Sequence, residues 1–288
     1  MSKIHRVEVV ANLASGSVAK DAPEEIEKIL ADHGLRAHVC APETQDLTNC
    51  LRAAVDAGPD LLVTLAGDGT ARTAAELCGP HGPVLAPLAG GTMNMLPHAI
   101  YGDRSWQDAL RLALSEGRER MIGGGEVDGQ PFLVAALIGA PALWGAAREA
   151  ARYHEPILAI ARARHALGRA FTGRLRYAFD DGPSGKAEAV HFFCPQISSI
   201  LPDEAPVLEA AALDVRGAAD AFRLGVNALV RDWRDDPAVE VQPCRKARVW
   251  ASGGIPALLD GELVKLRNSA VVAYRPAVVR MLTLPKDV

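Results

Sequence analysis

Asp68 lies between two glycines in Gly67-Asp68-Gly69-Thr70, directly after the apolar run Leu61-Leu62-Val63-Thr64-Leu65-Ala66. A short apolar run of this kind is the pattern of a buried parallel strand. The stretch 71–77 that follows has helical character and stops at Gly79, so the segment reads strand, glycine turn, helix. Glycines let a backbone pass close to a ligand, and the open N–H groups of a helix start suit a phosphate. A carboxylate among phosphates holds a divalent metal or handles a hydroxyl proton. The same Asp can also cap its own loop. Thr70 offers its hydroxyl either to a phosphate or to the helix start.

A second glycine element follows the apolar segment 84–87, as Leu88-Ala89-Gly90-Gly91-Thr92-Met93-Asn94. A third follows the strand expected over Val7–Ala11, as Asn12-Leu13-Ala14-Ser15-Gly16. Parallel sheets bind ligands at the carboxyl ends of their strands. Three hydroxyl- and amide-bearing turns on that edge predict a nucleotide-phosphate cleft, with Asn12, Ser15, Gly67, Asp68, Gly69, Thr70, Gly91, Thr92 and Asn94 as candidates. Later, Asp260-Gly261-Glu262 sits between Ala257-Leu258-Leu259 and Leu263-Val264. It reads as a hairpin turn that also carries two carboxylates.

These segments resemble the catalytic-domain family of diacylglycerol kinases, sphingosine kinases and their bacterial lipid-kinase relatives. That family carries an N-P-x-S-G segment, a G-G-D-G-T segment, a P-x-G-T-x-N-D segment and a late D-G-E segment, here Asn12–Gly16, Ala66–Thr70, Pro87–Met95 and Asp260–Glu262 in the same order. NAD kinases and phosphofructokinases share the G-G-D-G-T-like loop. The Gly91-Thr92-x-Asn94 and Asp260-Gly261-Glu262 elements favour the lipid-kinase branch. The resemblance implies an ATP- and Mg²⁺-dependent lipid kinase acting on diacylglycerol or a related lipid at a membrane surface. Asp68 would be its metal-proximal carboxylate, Asp260 its transfer-step carboxylate, and Glu262 secondary. The chain departs from the pattern at Ala66 for glycine, at Thr73 for glutamate and at Met95 for aspartate. The family's proposed base, the first Asp of D-G-x-L-D-V, is matched by Ala210 in 210–215. Glu209 is adjacent, but neighbouring strand residues face opposite ways. Three alternatives stay open: a bulge brings Glu209 in, Asp260 substitutes, or the protein binds nucleotide or lipid without efficient turnover. A kinase for a soluble acceptor such as NAD is the rival activity.

The elements that must position these groups alternate as strand and helix up to about residue 123. Glu24 follows a capping Asp21 by three residues, and Ile26, Ile29 and Leu30 form an apolar stripe. Leu47, Cys50, Leu51, Ala54 and Val55 repeat at helical spacing. This predicts an α/β parallel-sheet nucleotide-binding domain over 1–123. The run Gly123-Gly124-Gly125 reads as the boundary. Beyond it, short alternating strands over 132–138, 174–179, 188–194, 210–215, 239–242, 246–250, 263–266 and 270–274 predict a mostly antiparallel β-sandwich-like domain over 124–275. Segments 174–179 and 188–194 bracket a turn and read as a hairpin, and helices are expected over 141–170 and 218–230. The resemblance places the cleft between the two domains and returns 276–288 to the first.

The chain has 288 residues, 49% of them hydrophobic, and a formal net charge of −4. That suffices for two cores and argues against a nucleic-acid partner. Five scattered cysteines show no paired or zinc-ligand spacing, as in a reducing compartment. No run reaches membrane-spanning length and no leader is recognised. The expectation is a cytoplasmic protein, peripheral at the inner membrane surface when it meets lipid. Arginines 148, 152, 162, 164 and 169 would form either a lipid-facing surface or a solvated helix face. A homodimer is among the open oligomeric states.

Overall fold

The computed structural model describes residues 4–15, 17–42, 46–143, 174–215 and 233–285. The helices expected over 141–170 and 218–230, and the arginines of 148–169, fall almost wholly outside those residues. The chain divides into two compact units, Met1–Gly123 with Pro276–Val288, and Gly124–Arg275. The architecture is α/β, with one parallel and one antiparallel core.

The first unit runs β1 (Val7–Ala11), α1 (Ala22–Asp32), β2 (Ala37–Cys40), α2 (Leu47–Asp56), β3 (Leu61–Ala66), α3 (Asp68–Cys78), β4 (Val84–Ala89), α4 (Met95–Tyr101) and α5 (Trp106–Glu116). The strands pair in parallel in the order β2-β1-β3-β4. All six residues of β3 are buried, because helices cover both faces of a sheet in which β3 is interior. Ile26, Ile29 and Leu30 of α1 and Leu110 and Ala113 of α5 pack with Val9, Val63, Leu65 and Leu88. On the opposite face, Leu51 and Ala54 of α2 and Ala71, Ala74 and Ala75 of α3 are buried. The apolar periodicity of the sequence thus fixed which helix faces turn inward.

Strand β5 (Arg118–Val127) carries the chain into the second unit. Gly123-Gly124-Gly125, read as the boundary, is where the two units divide, and it does so within this continuous strand. A methyl on Gly125 would sit 2.0 Å from the Phe132 ring, so the glycine admits a core aromatic rather than forming a loop.

The second unit continues as β6 (Gln130–Phe132), β7 (Ala135–Gly139), β8 (Leu175–Phe179), β9 (Gly185–Ala187), β10 (Ala189–Phe193), β11 (Leu208–Leu213), β12 (Val239–Cys244), β13 (Lys246–Trp250), β14 (Ile255–Leu259), β15 (Glu262–Leu266) and β16 (Ser269–Thr283). One sheet is antiparallel, in the order β12-β11-β10-β7-β14-β15. Facing it, β16, β13, β8 and β9 pair antiparallel in that order, and β5 pairs with β6. Ile138, Val190, Phe192, Ala210 and Leu259 of the first sheet pack with Tyr177, Phe179, Val249 and Val272 of the second. The Phe179 and Phe192 rings meet edge to face at 6.1 Å. This is a sandwich core built from every second residue. The expected hairpin of 174–179 with 188–194 does not form. β8 pairs with β9 instead, and β10 joins the other sheet after the single intervening residue Glu188.

Strand β16 extends past Pro276 into the first unit, where Met281 pairs with Leu85 in parallel register. There the Tyr101 hydroxyl donates to the Leu282 carbonyl at 2.7 Å and the Thr283 hydroxyl to that of Arg118 at 3.2 Å. Cys40 at the end of β2 and Cys50 in α2 are disulfide-bonded, which corrects the reading of the cysteines as unpaired. No helix among the described residues is long and apolar enough to cross a membrane.

Candidate functional site

In the first unit, the ends of β1, β3 and β4 open on one edge because the strands are parallel. β3 ends at Ala66, whose methyl is buried, so the departure from glycine there is accommodated in the core. Gly67 is the N-cap of α3, and Asp68, Gly69 and Thr70 form its first turn. Thr70 is therefore inside the helix rather than capping it. The Thr70 and Ala71 N–H groups turn back to the Gly67 carbonyl, each at 3.1 Å. The N–H groups of Asp68 and Gly69 are left to the open edge, as at any helix start. Thr73, noted above as a departure, donates its hydroxyl to the Gly69 carbonyl at 3.1 Å.

The three turns lock onto one another. The Ser15 hydroxyl donates to the Gly90 carbonyl, and the Ser17 hydroxyl to that of Gly91 at 3.0 Å. Asn12 accepts from the Ala14 N–H at 3.1 Å, and its own N–H donates to the Leu65 carbonyl at 2.9 Å. Asn94 adopts a left-handed φ of 51°. Its side chain accepts from the Gly91 N–H at 2.7 Å and donates to the Gly91 carbonyl at 2.8 Å. A methyl on Gly91 would fall 2.5 Å from the Gly67 Cα, and one on Gly90 would fall 2.6 Å from the Ala66 nitrogen. These glycines serve loop-on-loop packing. Thr92 and Met93 are exposed at the tip.

The Asp68 carboxylate accepts from the Met95 N–H at 3.2 Å and the Leu96 N–H at 3.0 Å. It caps α4, whose own N-cap residue Asn94 makes no side-chain cap bond, and a negative charge suits a helix start. Met95, the departure from aspartate, contributes its backbone here. Sequence reasoning missed both this cap and the Ser17 bond, because each joins residues far apart in the chain.

In the second unit, Asp260 and Gly261 form the turn between β14 and β15, both with positive φ, 48° and 86°. Two left-handed residues are what a tight two-residue hairpin demands. Asp260 is 8% exposed. Its carboxylate accepts from the N–H groups of Leu133 at 2.8 Å, Val134 at 2.8 Å and Ala135 at 3.0 Å. Glu262, two residues on, is exposed. Glu209 is fully buried on the sheet face opposite Ala210, which lies in the sandwich core. β11 pairs residue for residue with both neighbours, so the bulge that would have turned Glu209 around is absent. Its carboxylate accepts from Arg234 Nε at 2.5 Å and the Ser198 hydroxyl at 2.5 Å.

Burial pushes the Cys78 and Cys244 thiols up to about 12 and raises that of Cys194 well above its ordinary value, so none of the three is a nucleophile at neutral pH. Among the described residues no group of three His, Cys, Asp or Glu side chains could hold a metal ion.

Comparison with known proteins gives a match for the first unit and a fold for the whole chain. Residues 6–125 match the model described as the diacylglycerol kinase catalytic domain. Three solved structures from Bacillus anthracis str. Sterne align over 100% of both chains: a diacylglycerol kinase (16% identity, TM-score 0.72), a putative diacylglycerol kinase (17%, 0.75) and a second putative diacylglycerol kinase (18%, 0.76). No curated protein matches the chain.

Proposed function

We propose that the chain, whose residues 6–125 match the diacylglycerol kinase catalytic domain, is an ATP-dependent kinase for a lipid hydroxyl, such as that of diacylglycerol. The observation that carries this reading is the locked set of three turns on one sheet edge, with two helix-start amides and Asp68 among them. The Asp68 and Gly69 N–H groups and the Thr70 hydroxyl take the nucleotide phosphates, and the Ser15 and Asn94 bonds hold the turns rigid for them. Asp68 fits Mg²⁺ only in partnership. Mg²⁺ is held by one or two carboxylates plus substrate phosphates, and each Asp68 oxygen keeps a lone pair beyond its amide bond. When bound, Mg²⁺ neutralises charge on the phosphates.

In the second unit the two turn carboxylates divide the work. Asp260 spends its acceptor capacity on three amides and is a positioning residue. Glu262, exposed on the rigid strand start that Asp260 anchors, accepts the proton of the acceptor hydroxyl. Glu209 takes no part, since burial and Arg234 keep it from any substrate. Ala210 stands in an apolar core, where an unpaired ionised base would be costly, so its lack of a carboxylate does not count against activity.

The test is incubation of the protein with labelled ATP, Mg²⁺ and a mixed bacterial lipid extract. Labelled lipid is expected. ATP binding without labelled product across a broad lipid panel would replace the kinase with a nucleotide- or lipid-binding protein. Label in a soluble acceptor such as NAD would replace the substrate class.

A further inference from the structure

The outer face of the sheet formed by β16, β13, β8 and β9 joins cations with apolar side chains. Its alternate residues Leu175, Tyr177, Ala247, Val249, Ala270 and Val272 point into the sandwich core. The pleat therefore sends Arg176, Lys186, Lys246, Arg248, Trp250 and Val271 outward. The pairing sets them in adjoining rows. Lys186 lies opposite Arg176, which lies opposite Trp250. In the next row Arg248 lies opposite Val271. All four cations are exposed, Trp250 is half-buried, and Val271 is 37% exposed. The Arg248 guanidinium lies 5.6 Å from the centre of the Trp250 ring, and its Nε donates to the Ser269 hydroxyl at 3.3 Å.

None of these four cations forms an ion pair with a described residue; of the nearby acids two pair with other arginines, and two hold backbone N–H groups while keeping their charge. Glu126 pairs with Arg275 at 2.6 Å, and Asp214 pairs with Arg174. Asp180 accepts from the Arg245 and Lys246 N–H groups at 3.0 and 2.9 Å. Asp128 accepts from the Val271 N–H at 2.9 Å. Four cations without ion pairs among the described residues thus share one sheet face, with an indole and an exposed valine among them.

We propose that this face docks on an anionic lipid bilayer. Lys and Arg near such a surface are drawn to its negative potential, and a tryptophan beside them settles at headgroup depth. A nucleic-acid partner would use the cations but leave Val271 facing phosphates, so the apolar residues favour the bilayer. Docking is independent of phosphoryl transfer and is read without ATP.

The experiment is co-sedimentation of the full chain with phosphatidylglycerol-containing vesicles that lack any acceptor lipid, against pure phosphatidylcholine vesicles. Wild type should bind the anionic vesicles, release as NaCl rises from about 0.05 to 0.5 M, and ignore the neutral ones. The double variant Arg176→Gln/Arg248→Gln should lose about thirtyfold in partitioning, at roughly fivefold per cation. Its activity toward detergent-dispersed lipid should be unchanged. Trp250→Phe should weaken binding without altering its salt dependence. Equal binding by wild type and double variant overturns the proposal, as does equal binding to neutral vesicles or tighter binding to duplex DNA than to the anionic vesicles. Since kinase activity on dispersed lipid is measured separately, loss of docking and failure of the kinase reading give different results.

Discussion

Asp68 and Asp260 are both aspartates followed by glycine at the edge of a buried strand, and both end in backbone amides. The difference lies in what each has left. Asp68 begins a helix on an open edge and takes two amides from α4. Asp260 is buried in a hairpin turn and takes three. The first keeps acceptor capacity facing an edge lined with N–H groups, whereas the second is consumed in fastening β14–β15 to the start of β7. Both read in sequence as turn carboxylates with chemistry to do, and on the proposed function the count of engaged lone pairs leaves the chemistry to Asp68 and the architecture to Asp260.

The largest expected effect breaks the comparison at Glu262. If Asp260 positions and Glu262 reacts, Glu262→Gln should cut kcat by about 10²- to 10⁴-fold, the usual worth of a general base. ATP affinity and Tm should stay unchanged. Single-turnover kinetics, calorimetry and thermal melts check this together. A variant as active as the wild type would return the transfer step to Asp260.

Next comes Asp260→Ala. It leaves three amides without their acceptor, at roughly 3–5 kcal/mol given about 1–3 for each buried group and incomplete additivity. Urea unfolding should show that loss, and hydrogen exchange should place it in residues 133–137 and 255–266. The equivalent loss appearing in the first unit, or none at all, would contradict the structural role.

Acid should separate the two units. Burial, with the Arg234 charge adding to it, pushes His191 down to about 4 from its ordinary 6.5. Between those values the unfolded chain binds the proton that folded His191 refuses. Stability of the second unit is therefore present above about pH 6.5 and is lost as pH falls toward 4, by roughly 3 kcal/mol at about 1.4 per unit. In the first unit Asp60 is held below the usual carboxylate value, chiefly by the Arg6 and His5 N–H groups. Its contribution is present above about pH 4 and lost only below that. Exchange at pH 5 should thus rise in the second unit first, and His191→Phe should flatten the dependence.

What the sequence disclosed follows from range. The apolar run of β3 and the turn at Gly67 are local features, and burial on both faces of a parallel strand leaves an unmistakable pattern. The opposite facing of Glu209 and Ala210 followed from the pleat alone. Hidden were the bonds that join distant segments: Asp68 to α4, Asp260 to Leu133–Ala135, and Glu209 to Arg234. The glycine run marked where the units divide, but it could not show that Gly125 also admits the Phe132 ring. Cys40 and Cys50 misled because their proximity depends on where α2 lies, which their spacing does not state.

The smallest expected effect in stability is the sharpest test of the comparison. Asp68→Asn keeps the side chain's shape but replaces one acceptor oxygen with an NH₂ that must face the Met95 or Leu96 N–H. The α4 cap is thereby half lost, worth about 1 kcal/mol by analogy with other caps. The missing charge matters more for the nucleotide. Calorimetric titration of ATP with and without Mg²⁺ should show the wild type binding more tightly when the ion is present. In Asp68→Asn that gain should disappear while binding of ATP alone holds or improves, because a negative group beside the phosphates has gone. Asp260→Asn should keep the full Mg²⁺ gain, since its carboxylate faces amides of its own unit. If both variants keep the gain, Asp68 is an architectural aspartate like Asp260, and the distinction drawn from their amide bonds fails.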